Sequence, residues 1–144
     1  MAFIHVRGPA KTEGFAKLVS TAIAAGSVLS FTTGYVSQAA VASLRVAGIS
    51  LKKIASTDGD FASATLIPVI IPGEEDVFET TVVGTATQAN VGGQYDLSSA
   101  NGGTSQEVRL AGTTNKVVTV VGFISASRVL VKFNANYVYE NKAN

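Results

Sequence analysis

Apolar and polar positions alternate with a period of two along most of this chain. Val28-Leu29-Ser30-Phe31-Thr32 reads as a strand, Thr33-Gly34 as a tight turn, and Tyr35-Val36-Ser37 as the returning strand of a hairpin. Arg45 to Leu51 is a further strand broken by Gly48, which predicts a bulge or a close backbone approach. Thr65 to Ile71 is strongly β-branched; Pro68 cannot donate to a ladder, so it predicts an edge or a bulge, and Pro72-Gly73 ends the run. From Asp76 to Gly84, Val77, Glu79, Thr81 and Val83 share one face and Phe78, Thr80 and Val82 the other. Asn115 to Ile124 and Arg128 to Phe133 form the clearest hairpin, with Val129, Val131 and Phe133 facing one way and Leu130 and Lys132 the other. Tyr137-Val138-Tyr139 reads as a last short extended piece.

Other segments are less regular. Thr12 to Ala25 places Phe15, Leu18, Val19, Ala22 and Ile23 at helical spacing, but Ala25-Gly26-Ser27 is a turn, and extended structure is expected after Lys17. Gln38 to Leu44 has room for one or two helical turns. Asp96 to Thr104 reads as a long polar excursion with a turn at Asn101-Gly102. Residues 1–14 and 134–144 lack strand periodicity and are expected to be arms, leaving 15–133 as one β-domain. About ten short strands with frequent turns define an all-β class, a small barrel or sandwich.

Composition narrows the chemistry. The 144 residues include no Cys and one His, which excludes disulfide scaffolds, zinc ribbons, iron–sulfur sites and cysteine nucleophiles. Charged residues make up 15% of the chain, against about 25% for an ordinary soluble domain. A surface so poor in charge suits burial in an assembly. The charge is also segregated. Residues 1–55 carry six bases and one acid, 56–107 carry eight acids and no base, and 108–144 carry five bases and one acid. Such segregation can produce complementary patches that set register between subunits. Sparse bases without interleaved aromatics disfavour nucleic acid. The charge-free stretch from Leu18 to Leu44 is broken throughout by Ser, Thr and Gly, which disfavours a membrane span, and no export signal is read in the first 17 residues.

The candidate chemical motifs are incomplete. Gly84-Thr85-Ala86-Thr87 and Gly112-Thr113-Thr114-Asn115-Lys116 have phosphate-loop composition without its spacing. Asp58-Gly59-Asp60 lacks the further acids of a calcium loop. Glu79 and Glu107 are the one imaginable acid/base pair, and nothing in the sequence brings them together. No enzyme activity, cofactor, metal or small-molecule substrate is expected.

The order of several segments resembles the small capsid decoration (cement) proteins of tailed bacteriophages. These are Ala25-Gly26-Ser27-Val28-Leu29-Ser30-Phe31, Gly34-Tyr35-Val36, Val46-Ala47-Gly48-Ile49, Ile67-Pro68-Val69-Ile70-Ile71-Pro72, Val77-Phe78-Glu79, Asn90-Val91-Gly92-Gly93-Gln94-Tyr95-Asp96-Leu97, Val120-Val121-Gly122-Phe123-Ile124 and Val129-Leu130-Val131-Lys132-Phe133. The resemblance implies a single barrel or sandwich, β-tulip or jelly-roll-like, with extended N- and C-terminal arms. It also implies a homotrimer on the capsid surface of the virion, made in the host bacterial cytoplasm, that clamps adjacent subunits of the major capsid protein. On that reading the contact candidates are Phe3, His5, Arg7 and Lys11 in the first arm, the acidic turn Glu74, Glu75 and Asp76, and Tyr137 and Tyr139 in the second arm. The rival reading is a fibre or adhesin domain that binds host glycan through exposed Tyr35, Tyr95, Tyr137 or Tyr139.

Overall fold

The computed structural model describes residues 3–39, 46–99 and 105–138. Among them lie eleven strands and two single turns of 3-10 helix, at Gln88–Asn90 and Ala135–Tyr137. The strands are β1 (Ile4–Arg7), β2 (Thr12–Ala16), β3 (Val28–Thr32), β4 (Tyr35–Gln38), β5 (Gly48–Ser50) and β6 (Leu66–Ile70), followed by β7 (Val77–Val83), β8 (Gln94–Ser99), β9 (Ser105–Arg109), β10 (Val118–Ser125) and β11 (Arg128–Phe133). The all-β class is therefore the observed one. No helix among the described residues is long and apolar enough to cross a membrane.

The C-terminal half closes on itself. β7, β11, β10, β8 and β9 pair in that order, and β9 returns to β7 in parallel through Val82 opposite Val108 and Val83 opposite Arg109. The result is a five-stranded barrel, which removes the exposed edges of an open sheet. β7 is long enough to have two partners on one edge. β9 takes its last residues, and β1 takes its first, with Ile4 opposite Glu79 and His5 opposite Phe78.

The N-terminal half forms a second sheet in the order β2-β6-β5-β3-β4. Its far strands curl together, because Leu18 N–H donates to the Val36 carbonyl at 2.9 Å. The predicted hairpin is present as β3 and β4. Thr33 and Gly34 both have positive φ (48° and 90°), the geometry whose twist matches the flanking strands.

Both faces of this second sheet contribute buried residues. Val28, Ile49 and Ile70 join Phe78, Val118, Val120, Val129, Val131 and Phe133 in a large cluster shared with the barrel. Their neighbours Leu29, Ile67 and Val69 face a smaller cluster with Ile23, Val36, Ala47 and Ile54. Within the Leu66–Ile71 run, Ile67 and Val69 are buried on one face and Ile70 on the other, while Leu66 and Pro68 are left exposed. Gly48 has φ +155°, and a Cβ there would collide with the carbonyl of Ile70, so the predicted close approach is real.

The structure departs from the sequence reading in several places. Residues 3–14 do not form an arm. β1 and β2 are laddered strands, and Phe3 is buried with its ring 5.4 Å from that of Phe133. Extended β2 overrides the helical spacing at the start of Thr12 to Ala25. β6 is an interior strand despite Pro68. The proline's carbonyl accepts from Leu51 N–H at 3.0 Å, and its missing donor falls just past the end of β5. The polar stretch from Asp96 begins inside β8, where Leu97 is turned into the core. Past β11, Ala135–Tyr137 makes a single 3-10 turn and Val138 bridges Val46, so this part of the expected second arm is docked. The Asn101-Gly102 turn and most of the Gln38–Leu44 segment lie outside the described residues.

Candidate functional site

The acidic turn and the N-terminal segment meet at one place. Pro72-Gly73 ends β6 and reverses the chain, and Asp76 N–H bonds the Gly73 carbonyl at 3.2 Å. The three acids of the turn then diverge. Glu74 and Glu75 are exposed, while Asp76 is buried. The Asp76 carboxylate accepts from Gly73 N–H at 2.8 Å, from Ala10 N–H at 2.9 Å, and lies 3.0 Å from His5 Nε2. The imidazole is held from its other side by an edge-on contact with the Phe78 ring, centroids 5.5 Å apart.

These bonds replace the water that a buried carboxylate gives up. They also fix the crossing from β1 to β2 on the turn that joins β6 to β7. Gly8, at φ +113°, passes so close that a Cβ would strike Asp76 and the Glu75 backbone. Between the two segments runs an open groove of about 590 Å³. Pro9, Lys11, Ile71 and Pro72 line it, with Glu74 and Glu75 along the turn.

Of the sequence candidates, His5, Lys11, Glu74, Glu75 and Asp76 thus converge. Arg7 sits exposed on β1 opposite Val77. Phe3 is corrected from a surface contact to a core residue, because it packs on Phe133 and donates its N–H to Gly26. Asp76 is corrected from a surface contact candidate to a buried acceptor. Tyr137 belongs elsewhere, half-buried beside a groove with Gln94 and Lys116, and Tyr139 lies outside the described residues.

Two further polar centres had escaped the sequence reading. The Lys17 side chain is fully buried. Its Nζ donates to the carbonyls of Leu18, Phe61 and Ser63 at 2.8, 2.7 and 3.2 Å and stands 5.6 Å from the centre of the Phe61 ring. Asp96 accepts from the backbone N–H groups of Thr114, Asn115 and Lys116 at 3.2, 2.6 and 2.7 Å. That is the arrangement by which consecutive amides bind an anion, and here the anion is the protein's own carboxylate. The sequence signal was the phosphate-loop composition of 112–116; the aspartate that fills the loop lies well before it in the chain, at the start of β8.

The remaining motifs are engaged structurally. Asp58 accepts from Ala55 N–H at 2.7 Å, and Asp60 lies 3.8 Å from Lys52. No group of three or more metal-ligating side chains occurs among the described residues. Glu79 is ion-paired with Arg128, and Glu107 accepts from the Thr81 hydroxyl at 2.6 Å.

The fold and this groove define an all-β protein with a closed five-stranded barrel, a second sheet packed on it, and a rigid, mixed-charge notch. No protein-family model, curated protein or solved structure matches the chain.

Proposed function

We propose that the protein is a structural component of a tailed-phage virion. It binds the outer surface of the capsid as a homotrimer and bridges adjacent major capsid protein subunits. The observation that carries this reading is the groove between residues 9–11 and the turn at 72–76. Two segments remote in sequence, both rich in Pro and charge, are locked together by buried Asp76 into a preformed recognition edge. A preformed edge loses little entropy on docking.

Two further features support an assembly role. Ile4, Val6, Val19, Tyr35, Leu51, Leu66, Val83, Phe123 and Ile124 are large apolar side chains left exposed, on a chain that is only 15% charged. Modest contacts repeated through a trimer add by avidity, so no single interface needs to be large.

The test is addition of purified protein to capsids stripped of it. Wild-type protein is expected to rebind. Glu74→Lys/Glu75→Lys protein, altered only at exposed positions, is expected to keep its melting temperature and bind at least about tenfold more weakly, a loss of about 1.4 kcal/mol. Absence of the protein from purified particles would overturn the reading.

A further inference from the structure

A second groove opens where the 112–116 loop meets the start of β8 and the 3-10 turn after β11. It consists of two contiguous depressions of about 340 and 460 Å³, which share Gln94, Thr113 and Lys116. Tyr137 borders one and Tyr95 the other. It has no lining residue in common with the groove at Pro9 and Glu75, so a ligand bound here is independent of any capsid contact made there.

Its base is rigid. Asp96 pins three successive amides of the loop. Asn134 ties the loop to β10, accepting from the Thr119 hydroxyl and donating to the Lys116 carbonyl, both at 2.6 Å. Gly92 and Gly93 are laddered to Val120 at 2.8 and 3.0 Å. Lys116 is held at φ +57°, a conformation that a side-chain-bearing residue keeps only where its surroundings fix it.

Part of its lining serves the fold, Asn134 through the loop and Tyr95 through the Asn90 amide at 3.0 Å, but three carboxamides do not. The side chains of Gln94, Asn115 and Asn136 make no hydrogen bond among the described residues, and Gln94 and Asn136 are exposed. A carboxamide offers a donor and an acceptor side by side, the complement of two neighbouring hydroxyls. A tyrosine offers an apolar ring face with a polar tip, suited to a ligand with a C–H face and a hydroxylated rim. Among the described residues no acid lines either depression, and Lys116 is the one cation there.

Other ligand classes fit less well. A phosphate or sulfate has lost its natural donors, because the loop amides already hold Asp96. A nucleic acid needs more than one cation. We propose that this groove is a binding site for a neutral saccharide, one or two hexose units long, held by the carboxamides of Gln94, Asn115 and Asn136 between Tyr95 and Tyr137.

The experiment is a titration of ¹⁵N-labelled full-length protein with glucose, galactose and N-acetylglucosamine, with inorganic sulfate run in parallel. A shallow, open groove predicts millimolar dissociation constants. At least one sugar should therefore give saturable amide shifts confined to 92–95, 113–116 and 134–137 below about 50 mM. The Gln94→Ala/Asn136→Ala protein should bind that sugar at least about tenfold more weakly at an unchanged melting temperature; the single exchanges serve if the pair lowers it. The proposal is overturned if no sugar gives saturable shifts, if the shifts fall elsewhere or survive in the variants, or if sulfate alone produces them.

Discussion

Two fully buried polar side chains of this molecule, one beside each apolar interior, are treated in opposite ways. Beside the smaller cluster of the N-terminal sheet, the Lys17 ammonium is fully buried, yet each of its three hydrogens has a carbonyl partner. Inside the barrel, Thr80 is equally buried between Phe78 and Val82, and its hydroxyl has no hydrogen-bond partner among the described residues. The group with the larger desolvation cost is the better accommodated. Burial is thus a poor guide to what a polar group does to stability; the count of partners decides it.

The strongest way to break the comparison is to remove the segment that serves both regions. β1 is laddered on the barrel and β2 on the other sheet, with Phe3 inserted between them. Deletion of residues 2–13 is expected to abolish cooperative unfolding, since burial of Phe3 alone contributes about 2–3 kcal/mol and both ladders go with it. A truncated protein that melts as sharply as the full chain would return the segment to the status of an arm.

Next in size is Lys17→Met. The thioether fills much of the same volume but leaves the carbonyls of Leu18, Phe61 and Ser63 without their donor. Each unsatisfied buried acceptor costs about 1–3 kcal/mol, so a loss of about 3 kcal/mol or more in urea unfolding is expected. A loss below about 1 kcal/mol would mean that the ammonium contributes packing and little else.

How much of the fold was legible depends on where each element gets its stability. β7 and β11 alternate because one face meets the barrel interior, and the shared faces of Phe78, Thr80 and Val82 and of Val129, Val131 and Phe133 were read correctly; β10 was legible as a strand, but its irregular register after Val120 was not. The β3–β4 turn was legible because Thr33-Gly34 carries its own backbone geometry. β1, β2 and β8 were not, because each is polar or short and borrows its ladder from a partner remote in sequence, such as β6 for β2. The groove at Pro9 and Glu75 was half legible. Both segments stood out, but which of three adjacent acids turns inward depends on His5 and Ala10, some seventy residues away. Tyr95 and Tyr137 stood out as aromatics; that one groove joins them depends on Gln94 and Lys116 meeting where β8 pairs with the start of β10.

Asp96 sharpens the comparison as an anion satisfied by backbone alone. Asp96→Ala frees three converging amides and is expected to cost about 2 kcal/mol. Sulfate should restore part of that loss in a concentration-dependent way, because the emptied loop has the geometry of an anion nest. Melts of the variant and of wild type in Tris buffer with increasing sulfate, against chloride at matched ionic strength, read this directly. Equal destabilisation with and without sulfate would show that the loop collapses once the carboxylate is gone.

The smallest expected effect has the opposite sign. Thr80→Val exchanges the orphan hydroxyl for a methyl group of nearly the same shape, deep in the barrel between Phe78 and Val82. The ladder is untouched, since β7 pairs through its backbone, and valine is at least as well suited to a strand as threonine. Removing a buried donor that finds no acceptor should raise stability by about 1 kcal/mol, read as a higher urea midpoint at constant slope. Set beside Lys17→Met, the pair forms a test in which two polar-to-apolar exchanges at equal burial move stability in opposite directions. If Thr80→Val destabilises instead, the hydroxyl has a partner after all, and the barrel interior and the Lys17 pocket obey one rule rather than contrasting.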